Sequence, residues 1–175
     1  MLELKVKYFS EDIPRLKPSI KEDGNEWIDV YAAEDVIIEL GERKLIPLGF
    51  ALEMPKGYEA VLAARSSTNG TWGIILVNGF GVIDNKYKGN EDDWKVNVMF
   101  INPNCKSTVD IIITDPEHPE NVTGIKKATK ISKGDKIGQF RIQECMPDVK
   151  FVEVDNLDNE DRGGFGSTGT TGYNN

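Results

Sequence analysis

No window of this sequence holds apolar residues at the three-to-four spacing of a helix for more than two turns. They come instead in short runs cut by glycine, proline and polar turns. Leu2, Leu4, Val6 and Tyr8 alternate with polar residues, and residues 28–31, 36–40, 44–48, 51–54 and 58–63 continue the rhythm. Gly41, Gly49 and the turn Pro55-Lys56-Gly57 punctuate these runs. Further runs lie at 74–77, 82–83, 94–101, 109–113, 137–142 and 151–154, and Ser132-Lys133-Gly134-Asp135 makes a turn before the strand that carries Gln139. Many short strands at this spacing predict an all-β fold, a sandwich, jelly roll or barrel with at most one or two short helices.

Two segments stand apart from that rhythm. Residues 102–130 form a polar, proline-containing excursion around the β-rich Val109-Asp110-Ile111-Ile112-Ile113, which reads as an inserted hairpin or arm. From residue 156 onward the chain has too few apolar residues to pack. The expected organisation is therefore one domain over 1–155 and a mobile tail over 156–175.

Charge narrows the partners. Lysine and arginine total 21 against 29 acids, a net charge of −8. Such a field repels long nucleic acids and anionic membranes, so any phosphate site must be built locally, where a divalent cation would help. Cys105 and Cys145 lie far apart and outside any metal-binding spacing, so they read as reduced thiols. The alternating N-terminus lacks the unbroken apolar run of a signal peptide, and no stretch is apolar enough to span a bilayer. A cytoplasmic protein is expected.

The stretch Gly81-Val82-Ile83-Asp84-Asn85-Lys86-Tyr87-Lys88-Gly89 reads as a glycine-bordered hairpin that offers a carboxylate, an aromatic face and open peptide groups. Alone it is an ordinary turn. It acquires meaning beside Arg65-Ser66-Ser67-Thr68, whose guanidinium, hydroxyls and N–H groups are the donors an oligophosphate needs. The tail Gly163-Gly164-Phe165-Gly166-Ser167-Thr168-Gly169 sets one flat ring among residues of little conformational preference, suited to closing over a planar base. Gln139 on its strand and Asn78 before Gly79 are structural residues when read singly, and His118, the only histidine, reads as a surface residue.

Taken in order, residues 28–35, Ala64-Arg65-Ser66-Ser67-Thr68, residues 78–89, Gly134-Asp135-Lys136-Ile137-Gly138-Gln139 and residues 161–169 resemble the motifs of the trimeric deoxyuridine triphosphatases, the dUTPases. The resemblance implies a jelly-roll-like (β-clip) subunit, a homotrimer with active sites between subunits, and hydrolysis of dUTP to dUMP and pyrophosphate with Mg²⁺. By that likeness Asp84 orients and deprotonates the attacking water. Asn78, Gly79, Gly81, Val82 and Ile83 read the uracil edge, while Tyr87 packs on the deoxyribose and excludes a 2′-hydroxyl. Arg65, Ser66, Ser67 and Gln139 bind phosphate, joined from the tail by Arg162, Ser167 and Thr168, with Phe165 over the base. Asp29 meets the metal through water.

The chain departs from the family's pattern at Ala64, where a proline is usual, and at Glu91-Asp92-Asp93, which interrupts the approach to the next strand. Two rival readings follow from the same residues. A dCTP deaminase needs an acid/base carboxylate on the strand after the Asp84 stretch, and Trp94-Lys95-Val96-Asn97-Val98-Met99-Phe100 has none. A regulatory or dual-purpose protein would use the 102–130 arm to dock a protein partner.

Overall fold

A computed structural model of the chain describes residues 2–17, 24 and 26–161. The expected sites Arg162, Phe165, Ser167 and Thr168 lie outside these residues. Twelve strands and one short helix are formed in the order β1 (Lys5–Tyr8), β2 (Ile28–Tyr31), β3 (Val36–Glu39), β4 (Arg43–Pro47), β5 (Phe50–Glu53), β6 (Tyr58–Ala63), α1 (Thr68–Trp72), β7 (Ile74–Leu76), β8 (Gly81–Ile83), β9 (Lys95–Phe100), β10 (Thr108–Thr114), β11 (Val122–Ile131) and β12 (Lys136–Glu144). The all-β expectation holds, and the fold is the β-clip jelly roll.

The strands form four sheets, ordered β1-β5, β10-β11-β3, β2-β12-β6-β8 and β4-β9-β7, every pair antiparallel. Among the described residues no sheet has more than four strands, and the sheets share one core. Its centre is aromatic: Trp94 lies 5.2 Å from both Phe50 and Phe140, edge-on to the latter. Ile38, Ile46, Leu48, Leu62 and Ile131 are fully buried around it. Fully burying each such side chain contributes roughly 1.5–3 kcal/mol.

Alternation along the β2-β12-β6-β8 sheet decides what can face a ligand. Asp29, Gln139 and Ala63 are register partners in one row, and Arg141, Val61 and Val82 are partners in the next row of the same parity. Val30, Phe140, Leu62 and Ala60 take the opposite face and are buried. A one-residue slip would exchange these two sets, so burial of the apolar one fixes Asp29 and Gln139 outward.

Compactness divides the chain into Met1–Cys145 and Met146–Asn175. The second unit has no strand or helix over 146–161, although residues 151–154 were expected to form a strand. A strand needs a neighbour for its peptide groups, and no strand pairs with this stretch among the described residues. The first strand is also shorter than the alternation of Leu2 and Leu4 suggests, beginning at Lys5, where pairing with Glu53 begins. The 102–130 excursion forms β10 and β11, and β11 continues past the hairpin to pair Ala128–Ile131 with β3, where Ala128, Thr129 and Ile131 are fully buried. Only the outer half of this hairpin carries exposed Ile112, Val122 and Ile125.

Candidate active site

The Gly81–Gly89 stretch is not a hairpin. β8 pairs with β6, whereas the next strand, β9, pairs with β4 and β7 in another sheet. Residues 84–94 therefore cross from one sheet to the other, and the crossing opens a cleft of about 580 Å³ lined by Leu45, Val82, Ile83, Asp84, Tyr87 and Lys95 among others. A neighbouring hollow of about 230 Å³ shares Leu45, Val82, Ile83 and Lys95 and adds Asn78 and Gly81. Asn78, Gly81, Val82, Ile83, Asp84 and Tyr87 thus converge on one continuous depression.

The backbone of β8 suits that depression. As the last strand of its sheet it is paired on one side only, so its other edge presents N–H and C=O groups toward the gap before β9. The strand signal that makes Val82-Ile83 β-branched therefore also makes a hydrogen-bonding edge. Gly81 has a different purpose from close ligand approach: a Cβ there would sit 3.3 Å from Leu62 Cβ, so the glycine lets β8 lie against the core. Gly79 takes a left-handed φ of +74° that turns the chain into β8.

Asp84 is exposed, and its Oδ1 accepts the N–H of Lys86 at 2.8 Å. This Asx turn orients the carboxylate and leaves its second oxygen unengaged by the loop. Tyr87 N–H reaches Asp84 O at 3.3 Å, and the Tyr87 hydroxyl donates to Asp93 O at 3.0 Å. Burial, followed by the nearby carboxylates of Asp92 and Asp93, holds the Tyr87 phenol above its usual range, so it is a neutral donor at neutral pH. Asn78 Oδ1 faces Asn97 Nδ2 at 3.4 Å, which leaves the Asn78 amide nitrogen for another partner.

A second group lies elsewhere on the same sheet. Arg65 follows β6, and its Nε is 3.0 Å from Asp29 Oδ1; Lys136 Nζ, from the start of β12, is 2.9 Å from Asp29 Oδ2. The hydrogen bond and charge of Asp29 raise the Lys136 pKa. Gln139 Nε2 donates to Ala64 O at 3.3 Å, and its half-buried side chain stands beside Asp29 in the adjoining strand. Ser66 and Ser67 are exposed, and Ser67 makes no side-chain cap to α1. Thr68 does the structural work of this loop: its buried Oγ1 accepts Arg65 N–H at 3.0 Å.

These two groups do not meet within one chain. Leu62 opposes Gly81, so the row of Ala63, Gln139 and Asp29 extends to Phe80, and Asp84 stands four residues beyond it. At about 3.3 Å per strand residue that is ~13 Å along the sheet.

Sequence reasoning missed Lys136, Lys95 and Asp93. Lys136 lies three residues before Gln139, and it is the bulge between Lys136 and Gly138 in the folded strand that keeps both near Asp29. Asp93 was not detectable, because nothing in a run of three acids tells which one turns inward.

The dUTPase family model matches residues 18–115. The SPbeta prophage-derived deoxyuridine 5'-triphosphate nucleotidohydrolase of Bacillus subtilis is 43% identical over 169 residues, covering 97% of this chain and 99% of that protein. The deoxyuridine 5'-triphosphate nucleotidohydrolase of Thermobifida fusca is 32% identical over 96% of this chain and 79% of its own length. Among solved structures, a Staphylococcus bacteriophage 80alpha dUTPase bound to dUpNHpp shares the fold with a TM-score of 0.67 at 24% identity, covering 96% of this chain and 99% of that one. A dUTPase from phage phi11 of S. aureus, described with a structural Mg(II) ion, gives a TM-score of 0.63 over 87% of this chain and 97% of that one. With relatives this similar along nearly its whole length, the chain belongs to the dUTPase family.

Proposed function

We propose that this chain hydrolyses dUTP to dUMP and pyrophosphate, with Asp84 as the group that holds and deprotonates the attacking water. The observation that supports this reading best is the placement of Asp84 at the mouth of a cleft whose wall is the free edge of β8. With one Asp84 oxygen fixed by Lys86 N–H, the other is left to accept a proton from a water held in line with the α-phosphorus.

Uracil would enter between β8 and β9. Its N3–H and O4 present one donor and one acceptor, which an open strand edge and the Asn78 amide complement; cytosine reverses that pattern. Tyr87 would pack on the deoxyribose and fill the space of a 2′-hydroxyl. Arg65, Ser66, Ser67 and Gln139 would bind the phosphates, with Arg162, Ser167 and Thr168 of the tail, and Phe165 would close over the base. Because Asp84 stands ~13 Å along the sheet from the row of Gln139 and Asp29, a homotrimer in which one copy supplies the Asp84 cleft and another the Arg65 group accounts for both.

Mg²⁺ fits as an ion carried by the triphosphate, since no group of three or more His, Cys, Asp or Glu gathers among the described residues. When bound, it would neutralise phosphate charge. Asp29 gives one oxygen each to Arg65 and Lys136, and each oxygen retains acceptor capacity for a metal-bound water. Cytoplasmic action on free nucleotide is consistent with two free cysteines and with the lack, among the described residues, of a helix long and apolar enough to cross a membrane. The opposed, exposed Ile112 and Ile125 at the outer end of the β10–β11 hairpin supply a surface for a protein partner.

Incubation with Mg²⁺ and dUTP, dCTP, dTTP or UTP in turn tests the reading. Pyrophosphate from dUTP alone is expected; ammonia from dCTP would establish the deaminase instead.

A further inference from the structure

The loop between Tyr87 and Trp94 supplies no group to the chemistry above, yet it ends in a half-buried carboxylate, Asp93. Two bonds leave this residue in different directions. Asp93 Oδ1 accepts the N–H of Gly49 at 2.9 Å, and its backbone oxygen accepts the Tyr87 hydroxyl at 3.0 Å.

Gly49 is a fixed point in the fold. Its φ is +75°, a Cβ there would lie 2.8 Å from Ile13, and its carbonyl accepts Phe9 N–H at 3.0 Å. Immediately after Asp93 the chain locks into the core: Trp94 N–H donates to Phe50 O at 2.9 Å, and Leu48 N–H to Trp94 O at 2.7 Å. Asp93 is thus the joint between a rigid core and the loop that carries Tyr87. Burial, only partly offset by the Gly49 and Phe50 N–H groups, holds its carboxyl above the usual range. The charge itself therefore costs stability, and what the side chain contributes is an acceptor at one place.

We infer that Asp93 is a positioning residue for sugar discrimination, tying its loop to Gly49 so that its own carbonyl fixes the Tyr87 ring as the wall that excludes a 2′-hydroxyl. This inference rests on Tyr87 being that wall. An untied loop would let the phenol swing away and make room for ribose.

The test is steady-state kinetics on dUTP and UTP, with thermal melts, for wild type, Asp93→Ala, Asp93→Asn, Tyr87→Phe and Tyr87→Ala. Asp93→Ala should lower the ratio of kcat/KM for dUTP over UTP about five- to tenfold, the worth of one hydrogen bond. Asp93→Asn should restore the ratio, because the amide oxygen accepts the same N–H. Tyr87→Phe should lose a similar factor, and adding Asp93→Ala to it should lose no more. A ratio unchanged in Asp93→Ala, even with a lower Tm, while Tyr87→Ala admits UTP, would overturn the positioning role. Continued rejection of UTP by Tyr87→Ala would instead overturn the reading of Tyr87. If Asp93→Ala does not fold, Tyr87→Phe decides: an unchanged ratio breaks the link between hydroxyl and carbonyl, and a reduced one supports it.

Discussion

Replacing Asp84 by asparagine separates the chemistry of this residue from its place in the fold. The Asp84 Oδ1 holds Lys86 N–H at 2.8 Å, and an asparagine oxygen can accept the same bond, so the turn and the cleft should survive. What disappears is the ability to take a proton from water. A positioned general base contributes about 10²–10⁴ in rate, or roughly 3–5 kcal/mol of barrier at 1.36 kcal/mol per decade. Asp84→Asn should therefore lose about two to four decades in kcat while binding a non-hydrolysable dUTP analogue with near-normal Kd. Asp84→Ala also loses the Lys86 bond, a further ~1 kcal/mol, and should weaken analogue binding in addition. Pyrophosphate release measures kcat, and calorimetry measures Kd. A kcat for Asp84→Asn within tenfold of wild type would remove this carboxylate from the reaction; a matching loss of analogue affinity would make it a binding group.

Truncation after Asp161 should leave the proposed homotrimer intact and slow dUTP turnover, checked by light scattering and single-turnover kinetics; unchanged kinetics would exclude the tail from the site. Asp93→Asn should change stability in a pH-dependent way. Because the folded pKa of Asp93 is raised from 3.8, its ionisation opposes folding above that range and has no effect below it. The Tm of the variant relative to wild type should then be higher at pH 7 than at pH 3.5, and a difference constant with pH would contradict the burial argument. Gly73→Ala should destabilise by roughly 3–5 kcal/mol in urea melts, since Gly73 has φ +66° and a Cβ would fall on Asn102 O and the Phe100 ring.

The fold was legible because its strands alternate. Runs such as Lys136–Glu144 put Phe140 inward and Gln139 outward, and that pattern needs no tertiary knowledge. Motif order pointed to Asp84, Tyr87, Arg65 and Gln139 as candidates, yet not to how they group. Two adjacent strands in sequence, β8 and β9, enter different sheets, which converts an apparent hairpin into a cleft-forming crossover. Residues 151–154 show the converse: their β-branched content signals a strand, but content cannot supply the neighbour a strand requires. Pairing over long sequence separation, such as Asp29 with Gln139, is what local pattern leaves open.

Charge at the second group suits the phosphate site proposed for this acidic protein. The chain carries −8 overall, so attraction for a triphosphate has to come from a few cations held close together, and two cations held close repel. Asp29 resolves this by standing between Arg65 and Lys136 at 3.0 and 2.9 Å; Arg65 lowers the Lys136 pKa, but the effect of Asp29 is larger and the pKa is raised. Both cations stay charged and oriented before any ligand arrives, and their local sum with Asp29 is +1. All three side chains are partly exposed, so the pairs are screened by water and add little stability. Their value is preorganisation: a phosphate can take one hydrogen bond from each cation without first paying for their approach, and Asp29 is left facing whatever cation the phosphate brings. Removing Asp29 should then weaken triphosphate binding even though a negative charge has been deleted from beside an anion, the opposite of what net charge alone predicts.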